Sequence, residues 1–132
     1  MYKIEPTNYG FRLTFGHVVG KPELEQWLAE SQQKLKTAVK PFGVLIDMRT
    51  LRPLAADAKQ VMERGQMLYK SSGMERSCVV VESAMLAVQF EQIAKQSGIY
   101  SFERYVASAN LPDWEQRAIK WIKTAADPAA AK

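Results

Sequence analysis

Phe42-Gly-Val-Leu-Ile-Asp-Met-Arg-Thr-Leu51 is a short apolar run that stops on an aspartate. Val44, Leu45 and Ile46 follow one another without a polar break, the pattern of a strand buried on both faces. Asp47 would stand at the carboxyl end of that strand, where open α/β sheets place their ligands. Ser77-Cys-Val-Val-Val-Glu82 repeats the pattern. Two buried parallel strands are therefore expected, each followed by an amphipathic stretch long enough to be a helix.

Upstream, Tyr2-Lys-Ile-Glu-Pro6 and Gly10-Phe-Arg-Leu-Thr-Phe-Gly-His-Val-Val19 alternate apolar and polar residues about a turn, which predicts an opening β-hairpin. Gly20-Lys-Pro-Glu23 starts a helix, with Pro22 and Glu23 suited to its first turn. Leu24, Trp27, Leu28, Leu35, Ala38 and Val39 share one face of it, and Lys40-Pro41 is expected to end it. A second helix over 54–70, behind Pro53, would turn Leu54, Ala58, Val61, Met62, Gly65, Leu68 and Tyr69 inward and close at Ser71-Ser-Gly73. Ser83 is placed to cap a third helix, with Leu86, Phe90, Ile93 and Ala94 toward the core and Ser97-Gly98 at its end. Residues 100–106 alternate untidily, Tyr100, Phe102 and Arg104 against Tyr105 and Val106, which suits an edge strand. The last helix, capped by Asn110 or Asp113, buries Trp114, Ala118, Trp121 and Ile122. Residues 125–132 carry no apolar period and read as a flexible tail. The order is ββαβαβαβα: one α/β domain over 1–124, a mixed five-stranded sheet with helices packed against it.

Composition narrows the function classes. A chain of 132 residues, 47% apolar and 24% charged, fits one soluble domain with its own core. Its apolar runs are too short for a membrane span, and Met1-Tyr-Lys-Ile-Glu-Pro6 lacks the apolar segment of a secretory signal. One cysteine, Cys78, forms no internal disulfide and fits a reducing, cytoplasmic compartment. The net charge of +4 is diffuse, as in Glu63-Arg64 and Glu103-Arg104, so nucleic-acid binding is not expected.

Val44-Leu-Ile-Asp-Met-Arg-Thr-Leu51 is similar to the third strand of the STAS domain, the fold of anti-sigma-factor antagonists and of the cytoplasmic tails of sulfate transporters. The order of elements resembles that family from about Tyr2 to Ile122. The ending from Tyr105-Val106 to Trp114-Glu-Gln-Arg-Ala-Ile-Lys-Trp-Ile122 looks like that of STAS-like, lipid-binding-like bacterial proteins. The resemblance implies a mixed sheet and a role in protein contacts. In the regulatory antagonists it also implies Asp-Ser-Ser-Gly at the start of the second helix, with a phosphorylated serine. Here those positions fall on Ala55, Ala56, Asp57 and Ala58, so no phosphoryl switch is expected there, and Asp57 offers only a fixed charge.

No nucleophile with its base and no metal-ligand cluster accompanies Asp47, so neither an enzyme nor a cofactor or metal protein is expected. The candidate binding residues are Asp47, Arg49, Thr50 and Arg52 around the strand-to-helix turn, with Glu82 and Ser83 at the same end of the next strand. They form either a polar rim that grips an anion or partner, or an ordinary turn in which Asp47 accepts backbone hydrogen bonds. Met67, Met85 and Val88 fall off the inner stripes of their helices and are candidates for an interface with a protein partner or a second copy of the chain. Cys78 is expected as a buried, inert thiol, and Trp27, Trp114 and Trp121 as core. The leading expectation is a non-enzymatic, STAS-like cytosolic interaction domain that regulates through protein contacts, with a protein partner or a second copy of itself. The alternative is a carrier of a small apolar ligand or lipid, and an apolar cavity would discriminate the two.

Overall fold

The computed structural model describes residues 1–109 and 111–129, without the side chains of Ile93 and Ser97. The hairpin forms as β1 (Tyr2–Pro6) and β2 (Gly10–Phe15), antiparallel, with Ile4 opposite Leu13. Then come α1 (Lys21–Leu35), β3 (Phe42–Asp47), α2 (Ala56–Ser71), β4 (Met74–Val81), α3 (Ala84–Ser97), β5 (Glu103–Ala107) and α4 (Trp114–Thr124). The five strands lie in chain order, and β2 through β5 run parallel. All of β3 is buried, and Val44, Leu45 and Val80 are inaccessible to solvent.

Strand alternation divides the core into two layers. Phe11, Leu13, Phe15, Val44, Ile46, Val79 and Val81 face α1 and α2. Leu45, Cys78, Val80 and Val106 face α4, against Ala118, Trp121 and Ile122. Close approach on both sides requires glycine. A Cβ on Gly43 would lie 2.0 Å from Ile122 of α4, and one on Gly65 of α2 would lie 2.1 Å from the Trp27 indole of α1.

The structure corrects several element boundaries. Helix α1 stops at Leu35, six residues short of Pro41; Lys36 and Ala38 donate to Gln33 and Leu35, a tightened turn that leaves Val39 85% exposed. Ala38 still packs against the core, but Val39 turns out to solvent, so the helical face ends at Leu35. Strand β4 begins at Met74, which pairs with Phe42 of β3; Arg76 within it pairs with Glu75 and donates to the Ile122 carbonyl at 3.1 Å. Helix α3 is capped by Ser83 as expected, but it turns Ala87 and Ala94 inward and leaves Leu86 and Phe90 exposed. Residues 99–101 form a 3₁₀ turn, so β5 starts only at Glu103, which is buried where a solvated residue was expected.

Within the expected tail, Asp127 pairs with Arg104, and the buried Pro128 accepts a hydrogen bond from Arg117 at 2.7 Å. The rest of that tail, the Asn110 cap and the inward placement of Ile93 lie outside the described residues.

Candidate functional site

Two places gather polar or apolar groups in a way that the packing of the fold alone does not require. The first is the carboxyl end of β3. Asp47 lies on the α4 side of the sheet and is only 6% exposed. Its Oδ1 accepts from the Arg49 backbone at 3.1 Å and from Arg49 Nε at 3.0 Å. Its Oδ2 accepts from the Arg49 guanidinium at 2.9 Å and from Arg12 at 3.3 Å. Arg12 also pairs with Glu115, and Arg49 lies 4.6 Å over the Trp114 ring. Burial works against ionisation of Asp47, but the Arg49 hydrogen bonds and the two guanidinium charges outweigh it and hold the carboxyl below its usual range.

This arrangement is a closed ion cluster. All four acceptor positions of Asp47 are in use, so it has little left to offer a ligand. Thr50 and Arg52 belong to a different contact: the Thr50 carbonyl accepts from the His17 backbone at 3.0 Å, and the Arg52 N–H donates to the His17 carbonyl at 2.9 Å. They fasten the loop after β3 to the end of β2. Glu82 is exposed and Ser83 caps α3; neither takes part in the Asp47 cluster. Arg12 and Glu115 complete the cluster, and nothing in their local sequence marks them.

The second place is a cavity of about 250 Å³ between α2 and the sheet. Leu13, Val44 and Ile46 form its floor, and Met62, Met67 and Tyr69 come from α2. Trp27 closes one side, its ring stacked on Tyr69; its indole N–H is buried and has no hydrogen-bond partner among the described residues. Tyr69 bonds Ser31 at 2.8 Å, and burial pushes its hydroxyl pKa up to about 12. Met67, 73% exposed, stands at the edge of the cavity.

Glu103 belongs to the cavity wall and is 4% exposed. Its carboxyl accepts from Ser77 Oγ at 2.8 Å and from the Tyr105 hydroxyl. Burial raises its pKa above the ordinary glutamate value, and the two hydroxyl donors only partly oppose the shift. A carboxyl that holds its proton better when folded stabilises the fold fully below its unfolded pKa. That contribution is lost as the pH rises through the folded value. Melting temperatures across about pH 4 to pH 8 should therefore show Glu103→Gln gaining on the parent as the pH rises. Parallel curves would show that Glu103 titrates alike in both states.

Cys78 is buried, and desolvation raises its thiol pKa, which keeps it protonated and inert. Among the described residues, no three His, Cys, Asp or Glu side chains gather as a metal site needs. No described helix is long and apolar enough to cross a membrane.

An uncharacterised protein of the DUF3478 family from Shewanella loihica, described as having a SpoIIAA-like fold, superposes with a TM-score of 0.64. The match covers 92% of each chain at 12% sequence identity. The chain has the SpoIIAA-like fold. No protein-family model and no curated protein matches the sequence.

The SpoIIAA-like fold is that of the STAS domain and the anti-sigma-factor antagonists, in agreement with the resemblance carried by residues 44–51. In this SpoIIAA-like chain, Ala55 precedes α2 and makes no side-chain cap, and Asp57 lies exposed in the first turn with its own carboxylate on the Ala58 N–H. No hydroxyl stands at residues 55–58. On the neighbouring α3, Met85 and Val88 are 72% and 50% exposed, beside the exposed Leu86 and Phe90.

Proposed function

We propose that this chain is a non-enzymatic binding domain that holds one small apolar molecule in the cavity between α2 and the sheet. The observation that carries the reading is the cavity itself: about 250 Å³, walled mostly by aliphatic, aromatic and methionine side chains, with Gln66, Lys70 and Glu103 as its polar members. Close-packed interiors leave few voids larger than a water. Apolar cavities of about 150 Å³ stay dry and take up molecules the size of benzene. The volume approaches the lower end of natural ligand sites, roughly 300 Å³. Support for leaving catalysis out comes from the polar groups: Asp47 is committed to Arg12 and Arg49, and Cys78 is buried as a thiol. A cytosolic location accords with that buried thiol.

Native mass spectrometry of the protein purified from its own cells tests the reading. A single small adduct, released by organic extraction, is expected. Bare protein that also fails to take up added apolar compounds would overturn it.

A second reading, contact with a protein partner or a second copy in a regulatory role, draws on a different observation. Met85, Leu86, Val88 and Phe90 expose apolar surface along α3, and interfaces favour such residues in their centres. Val88→Glu should then weaken association in sedimentation while leaving the melting temperature nearly unchanged. A parent chain that sediments as a monomer with and without its cell extract would remove this reading.

A further inference from the structure

We propose that the cavity selects an apolar ligand carrying one protonated amine, with Glu103 as its counter-charge; this rests on the cavity reading above. Glu103, a residue 4% exposed, lines the cavity, and its carboxyl is held by two neutral donors, Ser77 Oγ at 2.8 Å and the Tyr105 hydroxyl. Burial favours the proton on Glu103, so a facing ammonium is what would ionise it; the carboxylate then accepts at about four lone-pair sites, of which roughly two stay open. Among the described residues no lysine or arginine forms an ion pair with it. Asp47, on the opposite face of the sheet, has two arginines.

The neighbouring cations are engaged elsewhere. Arg104, next in the chain, donates to the Tyr100 and Glu103 carbonyls, pairs with Asp127 and stacks on Trp121 on the α4 side. Lys70, which also lines the cavity, lies 4.4 Å over the Phe102 ring and donates to the Met74 carbonyl at 3.4 Å. Natural interiors pair their buried charges or satisfy them with hydrogen bonds. Here the carboxyl has hydrogen bonds but, among the described residues, no counter-ion, and the largely apolar cavity adjoins it. A ligand ammonium supplies the missing charge and donors for the open sites. A ligand carboxylate would bring a second anion to the same place and be rejected.

The size follows from the volume. At about 30 Å³ per water-sized unit, the cavity holds roughly eight non-hydrogen atoms. Heptylamine, 1-heptanol and heptanoate share one chain and differ at the head, so calorimetric titration with each isolates the head group.

At neutral pH heptylamine is expected to bind about tenfold more tightly than 1-heptanol, the ratio one charge-assisted hydrogen bond supplies, with heptanoate weakest. Glu103→Gln should abolish the amine preference and keep alcohol binding. Equal affinities for amine and alcohol, or a preference for heptanoate, would overturn the inference while leaving the cavity reading intact. Binding of none of the three would remove both. If circular dichroism shows Glu103→Gln unfolded, the amine-to-alcohol ratio of the parent chain decides alone.

Discussion

Trp27→Ala is expected to lower the unfolding free energy by about 3–5 kcal/mol, the range for truncating a buried aromatic. The indole is 2% exposed and joins three elements. It meets Phe15 of β2 edge-on at 5.1 Å, stacks on Tyr69 of α2 at 5.8 Å, and fills the space over Gly65. Its removal strips α1 of its main contact with α2 and enlarges the adjoining cavity. Urea unfolding measures the loss directly. Gly65→Ala approaches the same contact from the other side, since the added methyl would collide with a rigid ring. A loss under about 1 kcal/mol for Trp27→Ala would mean that the ring is not the hub of this layer.

Ile46→Ala should cost about 2–5 kcal/mol. Ile46 is 7% exposed, sits on the central strand between Leu13 and Val79, and forms part of the cavity floor. Ile4 on the edge strand β1 offers an internal control, because it is only partly buried against the same layer. Its truncation should cost clearly less, since one side of its strand has no neighbour. Equal losses at the two positions would contradict the strand order.

These two residues mark what the sequence makes legible. Uninterrupted runs such as Val44-Leu-Ile and Val79-Val-Val have one good solution, a strand covered on both faces, and the hairpin alternates without ambiguity. The end of α1 was less readable, because Ala38 and Val39 continue the apolar period although the helix has ended, Ala38 packing on the core from a turn and Val39 facing solvent. Helix α3 carries apolar residues on nearly every side, so period alone selects no inner face. The alanines take it, because Ala87 and Ala94 let the helix approach β4 and β5.

Long-range pairing explains the remaining difference. Asp47 was readable as a strand-end aspartate, but its partner Arg12 lies 35 residues away and Glu115 lies on α4. The expected grouping with Thr50, Arg52, Glu82 and Ser83 came from shared strand ends, and side-chain direction then separated them. Glu103 next to Arg104 looked like a solvated pair. The period of two buries the glutamate on one face and sends the arginine to the other, and the register with Ser77 completes the contact. A cavity leaves no local signature, since it is defined by what six separated segments fail to fill.

The central claim is that this cavity takes up a small apolar molecule, and methyl NMR during titration with toluene tests it most directly. The account predicts saturable shifts concentrated on Leu13, Val44, Ile46 and Met62, with Met67 following as the residue at the edge. Unmoved methyls at those positions, or shifts confined to Met85, Leu86 and Val88 on α3, would contradict it.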